Sequence, residues 1–232
     1  MVAKPAILPK VKITSFSDSQ TARDYRELFS AKGHWLSLVA GVALFAVALG
    51  VQAFANRYVG HVVSIAVPDI ILDHVPTLDI DGLIIQSVLF VSVVSAALVV
   101  LKPRYMAFGL KTLSLFIIIR AIMISLTHLG ANPHQLAFNP NDVGYGLYNV
   151  LYNTNNDFFF SAHTGAPFLA ALVFWRERGI RYFYLITSAL FGASMLVAHI
   201  HYSIDVAAAP FMTYAIFSMS RELFTRDYAL LQ

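Results

Sequence analysis

Two stretches of this chain, Trp35–Asn56 and Leu83–Leu101, contain no charged side chain. Each runs for about the twenty residues an α-helix needs to cross a hydrocarbon core ~30 Å thick. This constrains the fold more than anything else in the sequence, because a bilayer admits only structures that satisfy every backbone polar group internally. Four further apolar stretches are less uniform, at Thr112–Leu129, Phe158–Trp175, Tyr182–Ile200 and Ile204–Ser220. They carry Arg120, His128, His163, Pro167, His199 and Pro210 in or beside apolar sequence. Only 12% of the residues are charged and 58% are hydrophobic, against about 25% charged in soluble domains. The expected fold is an all-α integral membrane protein, a six-transmembrane helix bundle. An arm spans residues 1–34, the membrane domain 35–220 and a tail 221–232.

The basic residues orient this bundle. Of the 16 Lys and Arg, all but Arg57 and Arg120 lie in the N-terminal segment, the second–third loop, the fourth–fifth loop or the C-terminal tail. With six spans these segments share one face, so the positive-inside bias makes both termini cytoplasmic. The net charge of +3 therefore reflects membrane orientation and not nucleic-acid binding. The first apolar span starts near Trp35 and is too long for a signal-peptide core, so no cleaved leader is expected. The basic arm is expected to be disordered and membrane-apposed. There are no cysteines, which excludes disulfides, thiolate catalysis and Cys-ligated metal.

The opposite face collects the chemistry. His163 opens the fourth span, His201 closes the fifth and Asp205 opens the sixth, and ionisable groups at such positions read as functional. The four-residue spacing of His201 and Asp205 puts them on one helical face, where the carboxylate can fix the imidazole tautomer. Two histidines without a serine or cysteine nucleophile suit a division of labour: one imidazole attacks phosphorus, while the other protonates the leaving oxygen and then activates the acceptor.

The stretches Asp157–Gly165 (DFFFSAHTG) and Ala198–Val206 (AHIHYSIDV) resemble the two catalytic motifs of sphingomyelin synthases, within the type 2 phosphatidic acid phosphatase superfamily. Arg120–Leu129 (RAIMISLTHL) is similar to that family's third-span motif. The resemblance implies that His201 is the nucleophile, Asp205 its orienting acid and His163 the general acid/base, with no cofactor and no metal. It also implies an active site on the extracytoplasmic face. The substrates would be a phospholipid donor and a lipid alcohol such as ceramide, and the product a transferred phospho-head group.

Around that triad, Arg120, Ser161, Ala162, Asp157 and His199 are candidates for substrate or phosphate binding. Arg120 is either a phosphate contact or one half of an interhelical ion pair. Asp157 belongs to the site or caps a helix. Ser161 and His128 line the cavity or pack. His199 is read as a hydrogen bonder behind the site: two residues from His201 on a helix it points ~200° away, which argues against a shared metal. The family's S-G-H is S-A-H here, and the position six before His201, an arginine in the phosphatases, is Met195. With Arg120 the only arginine in a span, the site suits a phosphodiester better than a doubly charged monoester. Ile200 stands where the synthases carry an acid between the histidines, which argues against a choline head group. Water as acceptor would make the protein a lipid phosphate phosphatase or a phospholipase C-like hydrolase. A proton-coupled transporter is the reading from another class, but it calls for broken helices or related halves near the midplane, and the sequence shows neither.

Overall fold

The structure is a computed structural model that describes residues 20–30, 32–62, 65–152 and 158–232. These residues are helical apart from connecting segments and one isolated parallel bridge, Ile65 to Leu129. The helices are α1 (Gln20–Ser30), α2 (Lys32–His61), α3 (Asp81–Leu101), α4 (Met106–Thr127), α5 (Tyr145–Tyr152), α6 (Ala162–Val173), α7 (Arg178–Val197), α8 (Ser203–Leu223) and α9 (Thr225–Ala229). Four segments, Gly33–His61, Asp81–Leu101, Pro103–Thr127 and Arg178–Val197, are long and apolar enough to cross a membrane. They mark an integral membrane protein.

The fourth and sixth expected spans differ from their sequence reading. Helix α8 has 21 residues, about 31 Å at ~1.5 Å each, but Asp205, Arg221 and Glu222 dilute its ends. Helix α6 has only 12 residues, about 18 Å. Its expected first turn is not helical, because Phe159 and Phe160 adopt positive φ of 156° and 28°. Such backbone costs of order 1–3 kcal/mol in a non-glycine residue and persists where the surroundings over-determine it. Here the Phe160 ring is fully buried edge-on against Phe116, and its carbonyl accepts from Arg120 Nε at 3.2 Å.

Helices α2 and α4 pack as one pair, and α6 packs between α7 and α8 with α4 alongside. Close approach around α6 depends on Gly165, where a Cβ would sit 2.8 Å from Thr213 Oγ1 and 3.0 Å from Phe116. Small residues let membrane helices meet in this way, because lipid provides no hydrophobic drive between them. The core is aromatic, with Phe108, Phe116, Phe160, Tyr184 and Phe217 among its buried members.

Contacts gather the connections at two ends. At one end Tyr25 of α1 donates to the Val100 carbonyl at 2.7 Å, Arg104 pairs with Asp24 at 2.9 Å and Lys102 with Glu177 at 2.8 Å. The expectation of a disordered arm therefore fails for residues 20–30, where α1 docks on the α3–α4 turn. Lys111, expected in a loop, lies inside α4. It is buried, with Nζ 2.7 Å from Asp227 Oδ2 and 2.6 Å from Ser37 Oγ, so the C-terminal tail includes a helix, α9, bolted to α2 and α4. At the other end, loop N–H groups of Leu78 and Leu136 reach the last carbonyls of α7, Val197 and Ala198, at 2.8 and 2.9 Å. They satisfy acceptors that a helix C-terminus leaves open.

Candidate active site

The second end holds the three residues of the expected triad. Ser161 caps α6, its Oγ accepting from the Thr164 N–H at 3.3 Å. Its own N–H donates to the Asp205 carbonyl at 3.0 Å, which ties the start of α6 to the first turn of α8. That bond brings His163, on the first turn of α6, beside His201: the ring centroids are 6.0 Å apart and inclined by 58°. Asp205 accepts from the Tyr202 N–H at 3.1 Å, closing a capping box at the start of α8. The same Oδ2 lies 3.4 Å from His201 Nδ1, with both side chains buried. At that distance the pair is an electrostatic contact looser than a good hydrogen bond. It leaves Nε2 as the histidine nitrogen available to a substrate.

The connection between α7 and α8 is held from outside. Asp69 caps the start of α8 by accepting from the Ser203 N–H at 2.6 Å, and its other oxygen accepts from Ile71 and Leu72. Burial opposes ionisation of Asp69, but the backbone bonds from Ser203, Leu72 and Ile71 outweigh it and hold the carboxyl below the usual carboxylate range. Tyr202 donates to the Gly130 carbonyl at 2.8 Å and accepts from the Val67 N–H at 3.2 Å.

The remaining expected site residues are placed unevenly. Ser161 and Ala162 stand at the α6 N-terminus, whose first N–H groups have no intrahelical acceptor and favour an anion. Arg120 is buried beneath this segment on the Phe160 carbonyl. His199 turns away from the histidine pair: at φ 53° its ring reaches the Val75 carbonyl from Nε2 at 2.9 Å and Thr77 Oγ1 from Nδ1 at 3.2 Å. It therefore ties the 75–77 segment to α7 and lines a cleft of about 560 Å³ with Asp73, His74 and His134. His128 closes α4 in the left-handed region and meets the Tyr58 hydroxyl at 3.1 Å. Asp157 lies outside the described residues. Among the described residues no group of three or more His, Asp and Glu could hold a metal ion.

Tyr148 of α5 is the neighbour that sequence reading missed. Its hydroxyl lies 3.3 Å from His163 Nε2 and its ring stacks on the imidazole at 6.3 Å. The surrounding segment reads only as a polar loop, and no periodicity in eight residues singles out one tyrosine.

Residues 154–222 match the family described as PAP2 superfamily C-terminal, a segment that includes α6, α7 and most of α8, with His163, His201 and Asp205. No curated protein and no solved structure matches the chain.

Proposed function

Residues 154–222 support membership of the type 2 phosphatidic acid phosphatase superfamily, and from that premise we propose that the protein is a membrane lipid phosphotransferase. It moves a phospho-head group from a phospholipid to a lipid alcohol, in the manner of sphingomyelin or ceramide phosphoethanolamine synthases. The observation that carries this reading is the pairing of His163 with the buried His201–Asp205 couple at the helix ends.

In the first step His201 Nε2 attacks phosphorus. The bond to the diacylglycerol oxygen breaks, and His163, protonated at the outset, gives that oxygen its proton. The head group is then a phosphoramidate on His201, with Asp205 balancing the positive charge on the ring. In the second step neutral His163 takes the proton of the acceptor hydroxyl, whose oxygen attacks phosphorus. The P–N bond breaks, its electrons return to His201, and both histidines regain their starting states.

Two features favour a diester and a lipid acceptor. Met195, fully buried, stands where the phosphatases carry an arginine. The site thus lacks, at that position, the bidentate cation that a phosphomonoester demands. His201 is 5% exposed and Asp205 1%, so the nucleophile is shielded from the water that would compete as acceptor.

The topology belongs to the same proposal. Helices α2, α3, α4, α7 and α8 cross the bilayer, as does the segment 158–177, of which α6 is the helical part. Both termini, with the basic turns they contact, face the cytoplasm, and the histidine pair faces the opposite side. The contacts of Arg104 with Asp24 and Lys111 with Asp227 support this, because they join both terminal helices to the end that carries the basic loops.

The test offers phosphatidylethanolamine, phosphatidylcholine, phosphatidylglycerol and phosphatidic acid to the protein in nanodiscs, with and without ceramide, and reads the products by lipid mass spectrometry. A new head-group-bearing lipid that requires both ceramide and His201 is the expected outcome. Diacylglycerol or inorganic phosphate released without any acceptor would replace the transferase with a hydrolase.

A further inference from the structure

We propose that Tyr148 is a positioning residue for His163, its hydroxyl and ring holding the imidazole in one tautomer and one plane beside His201. The inference rests on the reading of His163 as general acid/base and concerns a residue outside the matched segment 154–222.

The contact is built on both sides. Tyr148 is 1% exposed, and its ring lies at 29° to the His163 imidazole while Tyr152 approaches the same imidazole at 6.5 Å. Phe138 packs behind Tyr148 at 5.0 Å, and the apolar wall around it includes Ile84, Ile85 and Met195. Helix α5 is itself pinned. Ser92 Oγ gives its hydrogen to the Val88 carbonyl at 2.7 Å, so the 2.5 Å contact with Tyr152 is donated by the tyrosine. The position of the Tyr148 hydroxyl is thus set by α3 and the 138 loop rather than by α6.

Burial, with Tyr152 nearby, pushes the pKa of Tyr148 well above the usual tyrosine value, so it stays a neutral phenol. A buried hydroxyl left without a partner costs about 1–3 kcal/mol, and Nε2 of His163 is a partner at 3.3 Å. A hydrogen held between the phenol oxygen and Nε2 keeps neutral His163 in one tautomer. Among the described residues, Tyr148 and Tyr152 from α5 and His201 from the α7–α8 connection stand against His163, with Asp205 of α8 behind His201.

The experiment uses the full chain, ¹⁵N-labelled at histidine, in nanodiscs. The His163 ring signals are identified by their loss in His163→Gln and then compared between wild type and Tyr148→Phe, which keeps the stacked ring. At a pH that leaves His163 neutral, wild type should show a single tautomer, one ring nitrogen protonated and the other acceptor-type, and Tyr148→Phe a mixture of the two. Turnover of phospholipid and ceramide should fall about two- to tenfold, the weight of one hydrogen bond, with KM within twofold. An unchanged ¹⁵N pattern in Tyr148→Phe overturns the proposal whatever the activity. A changed pattern without turnover of any lipid by either protein upholds the positioning contact and overturns the acid/base reading of His163.

Discussion

At the scale of single residues, the proposed mechanism divides sharply between His201, His163 and Asp205. Removing the acid/base by His163→Ala should lower kcat about 10²- to 10⁴-fold, the usual worth of a positioned proton donor, while KM for the phospholipid moves little. Asp205→Asn should be comparably slow, because an amide can hold His201 in the wrong tautomer. Steady-state assays on the nanodisc protein check both. These three residues are legible in the sequence because each is an ionisable group at the end of an apolar run, where chance placement is expensive. His199 illustrates the limit of that signal. It sits as close to His201 in sequence as a ligand would, yet a left-handed backbone turns its ring to Val75 and Thr77. Tyr148 is the converse, a neutral residue in an eight-residue helix that only tertiary packing brings to the site.

Among the elements, the start of α8 and the packing of α6 carry the site. Asp69 is not visible as a cap from sequence, since 134 residues separate it from Ser203. Its carboxyl is depressed in the folded state, so the stability it contributes is present above the ordinary value of about 3.8 and disappears as pH falls through the depressed one. Asp69→Asn, whose amide would oppose a backbone N–H, should melt below wild type at neutral pH, and the gap should close under strong acid. Thermal unfolding in detergent across pH measures it. Gly165→Ala should also lower the melting temperature, by an overpacking cost of about 1–3 kcal/mol, because Thr213 and Phe116 leave no room for a Cβ. Apolar runs revealed six elements at close to their observed positions, but not that α6 begins late. Nothing in the string FFFS indicates positive φ; that conformation follows from burying Phe160 while Arg120 holds its carbonyl.

Across the whole molecule, the Lys111–Asp227 pair joins α4 to α9, and it shows what charge counting misses. The positive-inside reading treats Lys111 as one more cytoplasmic charge, whereas in the fold it is buried and neutralised. Lys111→Met alone strands a buried carboxylate and should cost about 3–5 kcal/mol, while Lys111→Met with Asp227→Leu should recover most of that loss; a double-mutant cycle on thermal stability separates the two. The end opposite this bolt presents the histidine pair, where the proposed mechanism places its chemistry at phosphorus. The most direct measurement incubates wild type and His201→Ala with a phospholipid radiolabelled in its head group, without acceptor, and quenches in alkali. A label on wild type that survives base, is lost in acid and is absent from the variant is the predicted result. A base-stable, acid-labile label that His201→Ala carries as fully as wild type would contradict His201 as the nucleophile.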